Sequence, residues 1–312
     1  MRDEPQELLP RQVPRWHQLV TPAWLAALIA GQRVVAAPTG NWRVFEVGYD
    51  GAASFHRGHI PGAAYLETRH LEGGPLWNKV PDATLLQVLL SNGVRHDTTV
   101  VLYSRNMLSA ARAAHLMLYA GLEDVRLLDG GFEAWQAAAC PVLHGTPSRH
   151  PAAHDFGTAF PAHPEYLMDM RQVRELMRRK EGVLVSVRTW NEFVGKTSGY
   201  SYIAARGDIP GACWGRAGGD GDVQSMSDFQ RPDGTMKPPA EIDAFWGEAG
   251  IRRGQWTTFY CGTGWRASLA FFYAWLMNWD RISVYDGGWL EWSSDPANAV
   301  AAAVRPLVGF GG

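Results

Sequence analysis

Asp129-Gly130-Gly131-Phe132-Glu133-Ala134-Trp135 is answered 157 residues later by Asp286-Gly287-Gly288-Trp289-Leu290-Glu291-Trp292. A single Asp-Gly-Gly would mean little. The same offset pairs Val100-Val101-Leu102-Tyr103-Ser104 with Thr257-Thr258-Phe259-Tyr260-Cys261, and Gly93-Val94-Arg95 with Gly250-Ile251-Arg252. Upstream, His59-Ile60-Pro61-Gly62-Ala63 pairs with Asp208-Ile209-Pro210-Gly211-Ala212 at an offset of 149, so the second copy carries about eight extra residues between these motifs. Ordered matches in a shared register mean a duplicated domain.

Each copy alternates strand and helix signals. In the first, strands are expected over Arg43–Val47, Thr99–Tyr103 and Val125–Leu128, with helices over Asp82–Ser91, Ser109–Tyr119 and Phe132–Ala138. In the second, helices are expected over Tyr166–Arg179 and Trp265–Trp279, with strands over Val183–Val187, Thr257–Tyr260 and Ile282–Tyr285. Short, wholly apolar strands alternating with helices indicate an α/β fold, here two tandem domains, each a parallel sheet with helices on both faces. Between the copies, Pro141 to Pro164 holds four histidines and five prolines without apolar periodicity. It reads as a surface linker whose histidines match no metal template. The expected division is residues 1–145, a linker over 146–164, and residues 165–312.

Composition excludes several classes. Of 312 residues, 46% are apolar and 19% charged, which excludes disorder. Basic and acidic residues number 29 and 31, so no basic excess supports nucleic-acid binding. No apolar run approaches the ~18 residues of a membrane helix. Met1-Arg2-Asp3-Glu4-Pro5 does not open a signal peptide. The three cysteines, Cys140, Cys213 and Cys261, form neither a disulfide framework nor a zinc site. A reducing, cytoplasmic setting is expected, or a periplasmic one if a leader has been removed.

The chemistry concentrates in Phe259-Tyr260-Cys261-Gly262-Thr263-Gly264-Trp265-Arg266-Ala267-Ser268. A buried strand delivers Cys261 to its carboxyl end, where α/β folds place ligands, and a helix begins within a few residues. Gly262 and Gly264 permit positive φ, so the backbone can turn its N–H groups toward one point, and the helix N-terminus adds its positive end. Such a nest favours the thiolate form of a cysteine. Arg266 adds a cation and Trp265 an apolar wall. An inert buried cysteine is the ordinary alternative, but packing alone requires neither the Gly-x-Gly nor the arginine. The first copy has Ser104-Arg105-Asn106-Met107-Leu108 here, lacking both the sulfur and the glycines, and reads as catalytically silent. Among the tryptophans, Trp135, Trp275, Trp289 and Trp292 stand at core-like spacing, while Trp190, Trp214 and Trp265 are candidates for a pocket wall. Cys140 and Cys213 read as structural.

Ile-Pro-Gly-Ala after His or Asp, the Cys261-to-Arg266 loop, and Asp286-Gly287-Gly288 followed by Trp292 together resemble the rhodanese superfamily of sulfurtransferases. The resemblance covers nearly the whole chain, as tandem domains active in the second. It implies a ping-pong reaction without cofactor or metal. Cys261 would take the outer sulfur of thiosulfate or 3-mercaptopyruvate as a persulfide and pass it to cyanide, a thiol or a protein acceptor. Gly262, Thr263, Gly264 and Trp265 would bind substrate. Arg266 and a second arginine, placed by the family within Asp-x-Arg and here Arg188, would support the leaving group. Ser186 stands where the family has that aspartate. Gly262-Thr263 is similar to mercaptopyruvate enzymes, whereas the whole loop is similar to thiosulfate enzymes. Related phosphatases and arsenate reductases use a loop one residue longer, which makes them the weaker enzyme alternative. A sulfur-carrier or protein-interaction module is the non-enzymatic one, and a redox-sensing Cys261 the third.

Overall fold

The computed structural model describes residues 13–301. In the first copy, β1 (Leu19–Val20), β2 (Trp42–Gly48), β3 (Ala64–Glu67), β4 (Thr99–Tyr103) and β5 (Val125–Leu128) are ordered β1-β5-β4-β2-β3. In the second, β6 (Leu167–Met168), β7 (Gly182–Ser186), β8 (Cys213–Trp214), β9 (Trp256–Tyr260) and β10 (Ile282–Tyr285) are ordered β6-β10-β9-β7-β8. The two orders are the same, and every pairing within them is parallel. A small antiparallel hairpin, Glu72–Gly73 with Asn78–Lys79, projects from the first copy.

The helices repeat as well. Besides the short helices Ala53–Arg57 in the first copy and Trp190–Phe193 in the second, the first copy has α1 (Pro22–Ile29), α2 (Asp82–Ser91), α3 (Leu108–Ala120) and α4 (Gly131–Ala137). Their counterparts are α5 (Met170–Arg179), α6 (Pro239–Glu248), α7 (Trp265–Leu276) and α8 (Gly288–Ser294). The fully buried strand Thr-Val-Val-Leu-Tyr of β4 runs over Thr99–Tyr103, and α2, β5 and β10 likewise begin and end where their apolar patterns do.

Two expected helices need correction. Tyr166–Arg179 is not one helix: Leu167–Met168 pairs with β10 as an edge strand, and Asp169 then starts α5. The Asp169 carboxylate accepts the Gln172 N–H at 2.7 Å while the Gln172 side chain accepts the Asp169 N–H, a capping box that sets the start. The helix expected to run to Trp279 ends at Leu276, because Asn278 takes a left-handed φ of 63°.

The two copies share one apolar core. Every residue of α3 is buried, and α7 is buried from Arg266 to its end. A helix covered all round must be packed on both sides; α3 lies between its own sheet and α7, and their side chains belong to one cluster. The alanines of α3 allow this close approach. Trp135, Trp275, Trp289 and Trp292 are buried, as their spacing suggests. The stretch between the copies runs back along the first, with Ala162 N–H donating to Ala120 O and Phe156 buried.

Two symmetric contacts lock the copies together, each using the aspartate of an Asp-Gly-Gly motif. Asp129 accepts the backbone N–H of Met236 from the second copy at 2.9 Å, and Asp286 accepts that of Lys79 from the first at 2.8 Å. The symmetry then breaks. Asp286 also receives Arg112 Nη2, whose Nε donates to Glu72 at 3.1 Å. In the repeat register the counterpart of Arg112 is Leu269, so Asp129 has no such cation.

Replacing Arg112 by methionine is expected to cost about 3–5 kcal/mol, read by chemical denaturation, because Glu72 and Asp286 are left buried without their counter-ion. Asp129 gives a pH signature. Burial pushes its carboxyl up to about 7. The native state therefore holds a proton that the unfolded chain loses near pH 4, and stability falls as pH rises between these values. Asp129→Asn removes that slope; its stability relative to wild type should improve by up to about 4 kcal/mol between pH 4 and pH 8.

Candidate active site

Strand β9 is central in its sheet and ends at Tyr260, immediately before Cys261, which is 1% exposed. The loop then turns through Gly264, at φ +102°, into α7. The Gly264 N–H donates to Cys261 Sγ at 3.2 Å. The loop is held from below by the Asp-Gly-Gly motif: Trp289 N–H donates to Cys261 O at 2.7 Å and Leu290 N–H to Gly262 O at 3.0 Å. Gly288 lies so close that a Cβ there would stand 2.7 Å from both carbonyl oxygens, at a φ of +54°. The first copy keeps this device, with a Cβ on Gly131 falling 2.4 Å from Ser104 O. This is the physical content of the repeat: the second glycine is the floor under the loop.

Gly262 is a glycine for a different reason than loop curvature. Its φ is not positive; instead a Cβ would fall 2.2 Å from the ring of Tyr200. The Tyr200 oxygen accepts the Gly262 N–H at 3.1 Å and Arg266 Nη2 at 2.6 Å. With two donors on its oxygen, its own O–H remains to be given. Burial pushes the phenol up, so it stays protonated. The expected convergence of loop amides on the sulfur is thus narrower in fact: the amide of Gly264 reaches Sγ, and that of Gly262 is taken by Tyr200.

Behind Tyr200 runs a ladder of alternating charge. Arg266, 1% exposed, presents its fork to Glu192, with Nη1 and Nη2 each 2.9 Å from a carboxylate oxygen. Burial opposes ionisation of Glu192, but Arg266 and Arg188 outweigh it and hold the carboxyl below its ordinary value. Arg188 donates to Asp208 Oδ2 at 3.2 Å and to the carbonyl of Gly207 at 2.8 Å. Ser186 Oγ donates to Asp208 Oδ2 at 2.7 Å, and Tyr260 also donates to Asp208. The carboxylate missing at Ser186 is therefore supplied by Asp208 of the Asp-Ile-Pro-Gly-Ala repeat.

Cys261 lies in a cleft of about 520 Å³ between the two copies. Thr263, Trp265, Arg266, Tyr200 and Tyr202 line it from the second copy. The first copy contributes Tyr49, Arg69, Glu72 and Trp77. Trp265 joins the walls: its indole N–H donates to Glu72 at 2.6 Å, and its ring lies 5.7 Å from that of Tyr49.

The structure brings Cys261, Thr263, Trp265 and Arg266 into the cleft, with Gly262 and Gly264 shaping the loop behind them. It does not bring Arg188 there. That side chain is wholly buried, and its donors are spent on Glu192, Asp208 and two carbonyls, so it braces the ladder. Trp190 and Trp214 also lie elsewhere, packed edge to face at 4.8 Å, because Trp214 sits on β8, two strands from β9. Cys213, on the same edge strand, does not line the cleft. In the first copy, Arg105 stands at the corresponding loop, pairing with Glu46 at 2.9 Å and lying over Phe132 at 4.2 Å.

Sequence reasoning missed Glu192, Tyr200, Tyr202 and the whole first-copy wall. Thr189-x-x-Glu192 was legible as a capping box, and the structure contains it. The others stand in irregular segments with no periodic signal.

The rhodanese-like domain model matches residues 21–138 and 169–295. The chain belongs to the rhodanese family. Thiosulfate sulfurtransferase YnjE of Escherichia coli is 50% identical over 97% of this chain and 68% of that protein. A crystal structure of YnjE superposes with a TM-score of 0.91 at 51% identity, over 94% of this chain and 70% of the other. The anaerobic ergothioneine biosynthesis enzyme of Chlorobium limicola, solved with trimethyl histidine, superposes with a TM-score of 0.89 at 36% identity, over 94% and 72%. Sulfur carrier protein TtuD of Thermus thermophilus is 29% identical over 81% of this chain and 88% of that protein. The chain is a rhodanese-type sulfurtransferase with two tandem domains. Among the described residues no helix is long and apolar enough to cross a membrane.

Tyr200→Phe removes the oxygen that joins Arg266 to the loop. Rhodanese turnover should fall about 10–100-fold, while denaturation midpoints drop only by the ~1–2 kcal/mol of one unsatisfied amide. Unchanged turnover would show that the loop needs no phenol.

Proposed function

We propose that the chain moves the outer sulfur of thiosulfate to a thiophilic acceptor through a persulfide on Cys261. The observation that carries this reading is a cysteine at the floor of a cleft, with an amide on its sulfur and a phenol and guanidinium behind it. The Cys261 thiolate attacks the outer sulfur of thiosulfate. A new S–S bond forms, the bond to the sulfonate sulfur breaks, and its electron pair leaves with sulfite. The negative charge passes to the terminal sulfur of the persulfide, where the Gly264 N–H and the free Tyr200 O–H are suited to receive it. Cyanide or a thiol then takes that sulfur and the Cys261 thiolate returns.

In this scheme Cys261 is the catalytic residue. Gly262, Thr263, Gly264 and Trp265 shape the donor site. Arg266 acts through Tyr200, and Arg188 positions both from behind. The first domain, residues 1–145, is without nucleophile but walls the cleft; 146–164 is the linker and 165–312 the catalytic domain. Thiosulfate as donor is supported by the name of YnjE, and a protein acceptor by that of TtuD. A phosphatase is disfavoured because Glu192 occupies the Arg266 fork that a tetrahedral oxyanion would need. A second acceptor class has one observation in its favour: the exposed aromatic rings of Tyr49, Trp77 and Tyr202 at the cleft suit a quaternary ammonium, the chemical class of the trimethyl histidine with which the Chlorobium relative was solved.

Intact-protein mass spectrometry after thiosulfate treatment should show a gain of one sulfur atom, reversed by cyanide with release of thiocyanate. Cys261→Ser should show neither. A peroxide-oxidised protein that never gains sulfur from thiosulfate would instead mark a redox sensor.

A further inference from the structure

The charges around the sulfur leave an anionic donor without a partner on the catalytic domain. Three buried arginines, Arg112, Arg188 and Arg266, face four carboxylates, those of Glu72, Asp286, Glu192 and Asp208. The cluster therefore offers no positive excess. Both terminal nitrogens of Arg266 are held by Glu192, and Lys79 is held by Asp82 at 2.7 Å. Thiosulfate, sulfite and mercaptopyruvate are all anions, and a cluster balanced in this way gives them no net attraction.

One charged side chain that lines the cleft has no ionic partner among the described residues. It is Arg69, and it belongs to the copy that has Ser104 in place of Cys261. Arg69 occupies the middle of a single 3-10 turn, Thr68–His70, directly after β3. Thr68 and Leu71 on either side are 3% and 1% exposed, and Glu72 is pinned by Arg112 and Trp265. The turn is thus fixed while the Arg69 side chain is exposed at the cleft. A surface arginine with a purely solubilising role needs neither a clamped turn nor a place opposite the nucleophile.

We infer that Arg69 is the anion-binding group of the active cleft, holding the oxygen atoms of a small sulfane-sulfur donor of the sulfonate or carboxylate class. This rests on the sulfurtransferase reading and adds to it the group that orients the donor. A guanidinium fork matches two oxygens of a sulfonate or carboxylate. With those oxygens held by the first copy, the sulfane sulfur is directed at Cys261 on the second. When the S–S bond to the donor breaks, sulfite departs with its charge still on Arg69. The silent domain then supplies the donor site and the active domain the nucleophile, so neither works alone.

The test compares wild type with Arg69→Gln, Arg69→Lys and Arg69→Glu. Sulfite binding is followed by fluorescence of the cleft tryptophans and by calorimetry, and thiosulfate–cyanide kinetics are measured at low and high salt. Arg69→Gln should weaken sulfite binding and raise the thiosulfate KM about tenfold, with kcat little changed, as expected for loss of one charge-assisted contact. Arg69→Glu should be worse, and Arg69→Lys should recover part of the loss by restoring charge without the fork. The salt dependence of KM in wild type should flatten in Arg69→Gln. Sulfite binding as tight in Arg69→Gln as in wild type, or none in wild type, would overturn the assignment. Failure of wild type to form a persulfide with thiosulfate would overturn the proposed reaction instead, and the sulfite titration would still decide the role of Arg69.

Discussion

The buried link Glu72–Arg112–Asp286 is the constraint on which the active cleft depends. Arg112 is wholly buried on α3, in the copy that does not carry Cys261, yet it pairs with a carboxylate from each copy. Its Nη1 is also close enough to Gly264 that a Cβ there would come within 3.3 Å. The guanidinium therefore packs directly behind the loop that carries the sulfur. Charges removed from water this completely persist only where their partners are held in place. The pairing thus fixes α3 against α7, the Glu72 hairpin against Trp265, and the Asp-Gly-Gly motif against the Cys261 loop. Loosening one of these contacts would loosen the others.

A second charged array lies within the second copy. Asp208, Arg188, Glu192 and Arg266 alternate in sign from the sheet edge to Tyr200, and Tyr200 meets the loop at Gly262. Each member neutralises the next, so the array is rigid rather than strongly charged. In the proposed reaction it would act on the sulfur through oriented hydrogen bonds, in the manner of an oxyanion site. This explains why the loop needs glycine at 262, where a ring must approach, and at 264, where the chain must turn.

The duplicated architecture has been used asymmetrically. Both copies keep the floor glycine, the parallel sheet and the aspartate that caps the opposite copy. Only one keeps a cysteine at the end of its central strand. In the first copy Ser104 stands there, and the hollow beside the following loop, about 280 Å³, is lined by Glu46, Asn106, Ser109 and Arg105, which pairs with Glu46. The first copy instead lends its outer surface, with Tyr49, Arg69 and Trp77, to the cleft of the second.

Much of this was legible in the chain itself. The repeat register, the apolar β4 and β9, the helix stops at Gly121 and Arg179, and Cys261 in a Gly-x-Gly loop are local patterns. Periodicity and backbone preference act over a few residues and need no partner to be read. The capping box at Asp169 was equally local, but the apolar run around it hid the boundary. What only the tertiary structure decided is which charges meet. Arg188 is predicted by motif to serve the leaving group, yet folding places Glu192 and Asp208 on it, while Arg69 and Arg112, silent in sequence, reach the cleft and its loop. Electrostatic partnership depends on distances between segments that folding brings together, within a copy for Arg188 and across the two copies for Arg112, and no local pattern encodes those distances.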